Sequence, residues 1–303
     1  MQSAEINRVK SYWDSMGAAG QPASIAEMRL NDDQWAVLTA EPDNVDYVHT
    51  TMGGVRCLWA MPKGSDHERV LVCFHGGGYL MGSVYSHRKL YGQLAKAAGV
   101  RALLVDYRLM PEHAFPAQSD DAIQVYRALL LLGIHSQCIS FVGDSAGGGL
   151  AVSTALRARD EGLPQPAGLM TMSAWTDMSL RGSSYETNRS KDLVFRREMI
   201  DGLVAMLLGS ESDRHHPYAS PIDGDLKGLA PVYLQVGGDE NLLDDSVGLA
   251  ERAKAAGVET KIDIFDGMLH SFQMAAGRAP EADEAIARLA AWIRPRLQPL
   301  ASV

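Results

Sequence analysis

The sequence predicts an α/β protein in which helices cover both faces of a parallel β-sheet. Short apolar segments rich in strand-forming residues alternate with segments of helical periodicity along most of the chain. The strand segments are apolar throughout rather than at every second residue, which is typical of strands that are buried on both faces. With 303 residues, of which 46% are hydrophobic, the chain is large enough for such a core.

Seven strands and five helices are predicted in this alternating region. The strands cover residues 56–62, 69–75, 100–108, 138–144, 168–174, 231–237 and 260–266. The helices lie near residues 86–98, 119–132, 146–160, 245–256 and 281–297. Because ligands of parallel sheets bind beyond the carboxyl ends of the strands, the loops that follow the strands are where chemistry is expected.

Two stretches interrupt the alternation and are predicted to form a helical cap over the sheet. Residues 1–45 contain two amphipathic helices, and residues 175–225 show no strand pattern. The catalytic body then consists of residues 46–174 and 226–303, with no linker that would mark an independent domain. Apolar residues of the two stretches either line a pocket or pack against the body, and they include Trp13, Trp35, Met206, Leu207 and Leu208.

Composition and charge argue against several classes of protein. The formal net charge of −9 without a sustained basic segment argues against a nucleic-acid partner or an anionic membrane surface. The longest apolar segments, such as residues 128–134, are too short for stable membrane insertion.

The N-terminal residues lack the apolar stretch of a secretory signal. The chain has an odd number of cysteines, Cys57, Cys73 and Cys138, which favours free thiols in a reducing compartment. A cytoplasmic location is expected, and no metal-ligand motif occurs.

The segment FVGDSAGGG at residues 141–149 contains a G-x-S-x-G motif centred on Ser145. It follows a predicted strand and opens a predicted helix, the context in which this motif places a nucleophilic serine on a sharp turn. Gly143 and Gly147 remove side chains that would collide there. The Ala146 amide, at the helix start, faces the reacting oxygen and benefits from the helix dipole. The alternative is an ordinary glycine-rich turn with a capping serine.

A second glycine-rich segment, HGGGY at residues 75–79, ends another predicted strand. Its glycines let the backbone approach a ligand and turn amide hydrogens inward, which suits an oxyanion hole for acyl transfer. A flexible turn or a phosphate cradle are alternatives, although no GK[ST] sequence follows. His75 is interpreted as a structural residue of this loop rather than as a base.

Among the nine histidines, His270 is the candidate general base. It follows the predicted strand at residues 260–266 through a short loop, so it lies at the carboxyl edge of the sheet. It also comes after both Ser145 and an acidic cluster, which matches the chain order Ser…Asp/Glu…His of this kind of site.

Four segments together resemble the hormone-sensitive-lipase-like family of α/β-hydrolases, in its bacterial (family IV) carboxylesterase branch. They are HGGGY (75–79), DYRLMPEHAFPA (106–117), GDSAGGGLA (143–151) and GMLHSFQ (267–273), in the order of that family. The resemblance implies an α/β-hydrolase fold with a mostly parallel eight-stranded sheet under a helical cap. It further implies Ser145 as nucleophile and His270 as base.

The resemblance also implies an activity and an oxyanion hole. The amides of Gly76, Gly77 and Ala146 are the implied oxyanion donors, and a contribution from Gly78 is left open. The implied reaction is the hydrolysis of short- to medium-chain esters through an acyl-enzyme, without a cofactor. A lactone, an acetylated sugar or a drug as substrate, and a non-catalytic ligand-binding protein, are the alternatives. A homodimer is one assembly that the sequence leaves open.

The acid of the triad is to be found among four carboxylates in GGDENLLDDS (237–246). Asp239 and Glu240 directly follow a predicted strand, whereas Asp244 and Asp245 lead into a helix and are expected to cap its amides. The acid motif of the family reads D-P-L-x-D, and a gapless match places its first position on Glu240. Glu240 is therefore the predicted acid, with Asp239 as the alternative if the loop is shifted by one residue.

Overall fold

The computed structural model of the chain describes residues 2–18, 24–192, 194–209 and 211–298. Its strands are β1 (Val45–Met52), β2 (Val55–Pro62), β3 (Asp66–Phe74), β4 (Val100–Val105), β5 (Ile139–Asp144), β6 (Gly168–Met172), β7 (Val232–Gly237) and β8 (Thr260–Phe265). Its α-helices are α1 (Ala4–Ala18), α2 (Ile25–Asp33), α3 (Val84–Ala98), α4 (Ala117–Leu131), α5 (Ala146–Asp160), α6 (Ser184–Thr187), α7 (Arg197–Leu208), α8 (Leu243–Ala255) and α9 (Pro280–Ile293). Parts of the predicted cap and body at residues 1, 19–23, 193, 210 and 299–303 lie outside the described residues.

The strands form one sheet with the order β1-β2-β4-β3-β5-β6-β7-β8. The pairs β1–β2 and β2–β4 are antiparallel. All other neighbours run parallel. The mostly parallel eight-stranded sheet is therefore confirmed, with an antiparallel hairpin at one edge.

Strand β1 is the one strand of the described sheet that the sequence pattern did not predict. Its segment VDYVHTTM mixes apolar and polar residues, and only the last of its side chains is fully buried. It is an edge strand, so one side of its backbone has no neighbouring strand and its apolar signal is weak. The seven strands and five helices that were predicted are present, with ends that differ by a few residues.

Strand β3 shows why the strand segments are apolar throughout. Val70, Val72 and Phe74 belong to one hydrophobic core, and Leu71 and Cys73 belong to a second. Because successive side chains of a strand point to opposite faces, the two cores lie on the two sides of the sheet. Residues of α4 and α5 complete the first core, and residues of α3 and α9 complete the second. The ends of the strands are thus left as the place for polar chemistry.

The insertion at residues 175–225 contains α6 and α7, and within its described residues there is no strand. Asp244 and Asp245 fix its first part to the body. Asp245 accepts a hydrogen bond from the Thr176 amide at 2.8 Å, and Asp244 accepts one from the Ser184 amide at 2.9 Å. Both carboxylates lie in the first turn of α8, but the N-cap of that helix, Leu242, makes no side-chain capping bond. Their carboxylates accept bonds from the insertion and not from amides of α8, so the predicted capping bonds are wrong, whereas the predicted place in the first turn, at the positive end of the helix dipole, is confirmed.

The three cysteines are free and buried, as predicted. Burial raises the pKa of the Cys57 thiol to about 12, so the reactive thiolate is disfavoured there. In the described part of the chain, no helix is both long and apolar enough to cross a membrane.

Candidate active site

Ser145 lies on the turn between β5 and α5, as the motif predicts. Its backbone has φ 52° and ψ −124°, in a region that non-glycine residues rarely adopt and that costs about 1–3 kcal/mol. Two hydrogen bonds hold this conformation. The Ser145 amide donates to the Met172 carbonyl at 2.8 Å, and the Ser145 carbonyl accepts from the Trp175 amide at 2.9 Å.

The glycines on either side of Ser145 allow very close packing of the turn. A Cβ atom on Gly147 would lie 2.0 Å from the carbonyl oxygen of Phe74, at the end of β3. A Cβ atom on Gly143 would lie 2.0 Å from the Gly147 carbonyl oxygen. The steric role predicted for both glycines is confirmed, and their close approach places the start of α5 directly against the HGGGY loop.

His75 shapes the HGGGY loop and is not available as a base. Its Nδ1 is hydrogen-bonded to the Gly76 carbonyl oxygen at 2.8 Å, and its ring stacks on that of Tyr107 with 4.2 Å between centroids. Burial, together with the nearby charge of His87, lowers the pKa of His75 to about 3, so the ring is neutral. The structural role predicted for His75 is confirmed.

The amide of Gly76 has a partner within the protein. Its N–H points at Nε2 of His87, 3.2 Å away, and a Cβ atom on Gly76 would lie 2.5 Å from a carboxylate oxygen of Asp144. The Gly76 amide is therefore directed toward α3, which argues against its predicted role as an oxyanion donor. His87, in α3, was not singled out from the sequence because nothing in its local pattern reveals a partner in the loop.

The next two amides of the loop, those of Gly77 and Gly78, are not used in hydrogen bonds within the described protein. Gly77 and Gly78 have positive φ angles of 107° and 62°, and neither amide donates a hydrogen bond to another described residue. The Ala146 amide is the first of α5, so it has no acceptor within that helix. These three amides are donors that this region can offer to a ligand oxygen.

Asp144, which precedes Ser145, is buried in a polar network that links three segments. It accepts a hydrogen bond from the Tyr91 hydroxyl at 3.0 Å and one from the Ser271 hydroxyl at 3.3 Å. His87 Nε2 lies 3.3 Å from the same carboxylate. Burial alone would raise the pKa of Asp144, but His87 and the Tyr91 hydrogen bond outweigh it and lower that pKa. Since Asp144 adjoins Ser145 and Ser271 adjoins His270, this contact links the two segments that carry the nucleophile and base candidates.

Glu240 and His270 form a buried pair. Oε1 of Glu240 lies 3.6 Å from Nδ1 of His270, and both side chains are almost completely inaccessible to solvent. At this distance the contact is an ion-pair contact rather than a hydrogen bond, and neither Oε1 nor either ring nitrogen has a hydrogen-bond partner among the described residues. Burial lowers the pKa of His270, but the carboxylate of Glu240, with Asp192 and Asp144, outweighs it, so the pKa of His270 is raised above its usual value.

Asp239 points away from this pair. Its carboxylate lies 2.8 Å from Nζ of Lys191 and 4.0 Å from Nζ of Lys10, in a partly exposed position. Adjacent residues of an extended loop project in different directions, so only one of Asp239 and Glu240 can face the histidine. The structure places Glu240 there.

The insertion fixes the loop that carries Glu240. The side-chain amide of Asn188 donates to the carbonyl oxygens of Gly238 and Glu240, at 3.1 and 2.8 Å. The carboxylate of Asp192 accepts from the Asn241 amide at 3.0 Å. Asn188 and Asp192 were not predicted, because the bonds join positions about 50 residues apart in the sequence.

Apolar side chains of the insertion cover the polar site. The ring of Phe195 lies over that of His270, with 4.0 Å between centroids, and it also packs against Trp13 and Trp35 of the N-terminal segment. A Cβ atom on Gly78 would lie 2.7 Å from Cδ1 of Leu203, in α7. Of the apolar residues singled out in these segments, Trp13, Trp35 and Leu207 are buried, Leu208 is partly buried and Met206 is 42% exposed.

Comparison with known proteins identifies the family. A family model for the alpha/beta hydrolase fold matches residues 71–274. A crystal structure of an esterase from the bacterial hormone-sensitive lipase family matches with a TM-score of 0.95 and 36% identity, over 98% of this chain and 100% of that one. The chain belongs to this family of α/β-hydrolases. Another relative of this hormone-sensitive-lipase-family hydrolase is an acetyl-hydrolase of Streptomyces hygroscopicus, 34% identical over 298 residues and 97% of each chain. An esterase of Acinetobacter venetianus is 37% identical over 216 residues and 71% of each chain.

As a member of the hormone-sensitive lipase family, the chain is a carboxylic ester hydrolase. The α/β-hydrolase fold and the family predicted from HGGGY, GDSAG and the histidine segment are confirmed. Within the described residues, no three His, Cys, Asp or Glu side chains converge as the ligands of a metal ion would.

The packing at Gly147 gives a test of the nucleophile turn in this hormone-sensitive-lipase-family hydrolase. Gly147→Ala places a methyl group 2.0 Å from the Phe74 carbonyl oxygen and must push α5 away from β3. We expect a loss of about 1–3 kcal/mol in the free energy of unfolding and a large loss of nitrophenyl acetate hydrolysis. Thermal unfolding and initial rates measure the two effects.

The matched control is Gly202→Ala in α7, where nothing lies within 4 Å of the added methyl group. This variant is expected to gain about 0.5–1 kcal/mol in stability, as alanine replaces glycine within a helix. Equal behaviour of the two variants would contradict the steric role of Gly147.

Proposed function

We propose that the chain is a serine carboxylesterase that hydrolyses short- to medium-chain esters through an acyl-enzyme intermediate. Ser145 is the nucleophile, His270 the general base and Glu240 the acid. The observation that carries the proposal is the buried contact of Glu240 with His270. In addition, Ser271, which follows His270, donates a hydrogen bond to Asp144, which precedes Ser145. This arrangement supplies a nucleophile, a base and a group that orients the base.

The two ring nitrogens of His270 have separate tasks in this reaction. Nδ1 faces Glu240, so the proton of the neutral ring resides there and Nε2 is free to accept the proton of Ser145. Ser145 Oγ then attacks the ester carbonyl carbon. The imidazolium that forms is stabilised by Glu240, and it returns the proton to the departing alcohol. Water, deprotonated by His270, hydrolyses the acyl-enzyme. The contact of 3.6 Å is of the kind that shortens when substrate is bound.

The oxyanion of the tetrahedral intermediate is assigned to the amides of Gly77, Gly78 and Ala146. These amides are free of partners within the described protein and belong to two segments in direct contact. Backbone donors that are already oriented need no rearrangement as negative charge develops. The start of α5 adds the positive end of its dipole at the Ala146 amide.

Residues 1–45 and 175–225 are proposed to form a cap over this site, with residues 46–174 and 226–303 as the catalytic body. Phe195 over His270 and Leu203 over Gly78 place apolar surface beside the reacting centre. Such a surface favours an apolar acyl or alcohol group and limits its length. The acetyl-hydrolase relative supports a preference for small acyl groups.

A series of nitrophenyl esters from acetate to laurate tests the proposed reaction. We expect the highest kcat/KM among the short and medium chains, with a decline toward laurate. Ser145→Ala is expected to lower kcat by about 10⁶-fold, because no other group provides the nucleophile. Full turnover in this variant, or no hydrolysis of any ester by the native protein, would refute the proposal. Lactones and acetylated sugars in the same assay separate the substrate alternatives.

The choice of acid is tested by comparing two adjacent substitutions. Glu240→Ala is expected to lower kcat by about 10³- to 10⁴-fold, as loss of the triad acid does in other serine hydrolases. Asp239→Ala removes only a partly exposed ion pair with Lys191, so kcat is expected to stay within a few-fold of the native value. The reverse pattern would assign the acid to Asp239.

The pH dependence of kcat/KM reports the protonation of His270. The neighbouring Glu240 raises the pKa of His270, so the inactive imidazolium persists to higher pH than in an isolated histidine. Activity is therefore expected to rise with pH, with a midpoint above the usual value of about 6.5. Glu240→Ala should lower that midpoint, whereas Asp239→Ala should leave it in place. A native midpoint below the usual value would contradict this assignment.

A homodimer and a cytoplasmic location remain predictions from the sequence. The substrate is proposed to be a small ester rather than a nucleic acid, in keeping with the net charge of −9.

A further inference from the structure

Ser173 occupies the end of β6, between the strand ends that carry Ser145 and Glu240. It is completely buried, and its φ of 50° lies in the left-handed region. Its amide donates to the Gln235 carbonyl oxygen of β7 at 2.8 Å, and the preceding carbonyl, of Met172, accepts from the Ser145 amide. A strained non-glycine residue persists only where its surroundings hold it in place.

The Ser173 hydroxyl joins the acid loop to the histidine loop. It donates to Oε2 of Glu240 at 2.7 Å and accepts from the Ser271 amide at 2.9 Å. Ser271 directly follows His270, so one buried hydroxyl contacts the acid and the segment that carries the base. The donor and an acceptor site of this hydroxyl are both used.

These contacts decide which oxygen of Glu240 faces the histidine. Oε2 receives the Ser173 hydroxyl and also the Gly237 amide, at 3.1 Å. Oε1 is left without a hydrogen bond and lies 3.6 Å from Nδ1 of His270. Because the carboxylate is fixed through one oxygen, the direction of the other is set.

The length of the acid makes this constraint important. Glutamate has one more rotatable bond than aspartate, and its terminal torsion has a broad, roughly two-fold distribution rather than sharp rotamers. An unrestrained glutamate would therefore present its carboxylate to His270 in several orientations. Two donors on Oε2 remove that freedom, whereas the shorter side chain of an aspartate has less freedom to remove.

We propose that Ser173 is a positioning residue for ester hydrolysis, which aligns Oε1 of Glu240 and the loop of His270 through its single hydroxyl. The inference rests on the proposed function, because it assumes that Glu240 and His270 act as acid and base. Ser173 is completely buried and acts through these two residues.

The test uses Ser173→Ala and Ser173→Gly in the full-length protein. Both remove the hydroxyl, but glycine adopts the positive φ without strain, so the pair separates the hydrogen bonds from the backbone conformation. Both variants are expected to lose about 10- to 100-fold in kcat toward nitrophenyl acetate with little change in KM, since misalignment affects the chemical step. Native kcat in Ser173→Gly, with loss only in Ser173→Ala, would overturn the proposal.

Ser140→Ala provides the matched control. Ser140 is a completely buried serine in the neighbouring strand β5, and its hydroxyl donates to the Gly168 carbonyl oxygen at 2.7 Å. Loss of this hydrogen bond is expected to lower the melting temperature about as much as loss of the Ser173 hydroxyl, while kcat stays native. An equal loss of kcat in both variants would show a general effect of destabilisation and would overturn the proposal.

Two further readouts distinguish positioning from a purely structural role. In the Glu240→Ala background, Ser173→Gly is expected to cost much less than in the native background, because residues that act as a unit are not additive. The acidic limb of the pH profile should also move to lower pH in Ser173→Gly, since a less well fixed Glu240 raises the pKa of His270 less. The inference would be refuted if the two substitutions lowered kcat by independent factors in the double variant and the acidic limb of the pH profile stayed in place in Ser173→Gly.

The outcomes separate this inference from the proposed function. If Ser145→Ala retains turnover, the serine esterase mechanism itself fails. If Ser145→Ala and Glu240→Ala lose turnover while both Ser173 variants keep it, only the positioning role of Ser173 fails.

Discussion

The site depends on the strained turn at Ser145, which the sheet holds in place. The positive φ of Ser145 costs about 1–3 kcal/mol. Two hydrogen bonds offset this cost, one from the Ser145 amide to the Met172 carbonyl and one from the Trp175 amide to the Ser145 carbonyl. The close contact of Gly147 with the end of β3 fixes the start of α5. The Ala146 amide and the amides of the HGGGY loop take their places from this contact. A rigid scaffold thus positions groups that lie on loops.

The parts that were predictable from the sequence are those set by local pattern. The helix after Ser145 begins at Ala146, as the motif and the apolar periodicity predicted. The seven predicted strands are recognisable because burial on both faces makes them apolar throughout. Strand β1 lacks this signature since it lies at an edge, and most of its exposed positions hold polar residues. Its place is set by pairing with β2, which local pattern does not encode.

The site residues that escaped prediction have partners far along the chain. Spacing and motif alignment identified Glu240, which the structure places beside His270. The bond of Gly76 to His87, and the bond of Ser173 to Glu240, depend on how strands and loops meet in space. Asp245 was assigned to its own helix for the same reason, although its carboxylate binds an amide 69 positions earlier. Each is a polar contact between segments that no periodicity connects.

The anchoring of the insertion has a consequence for how new specificities can arise. Its first part is bonded to the body by Asp245 and Asn188, and Asp192 holds the loop that carries Glu240. A hinge that swung the whole insertion outward would break these buried bonds and displace Glu240. Movement or replacement of α7 leaves them intact. Because α7 takes no part in these bonds, changes in α7 can alter the apolar surface over the site while the contact of Glu240 with His270 is kept.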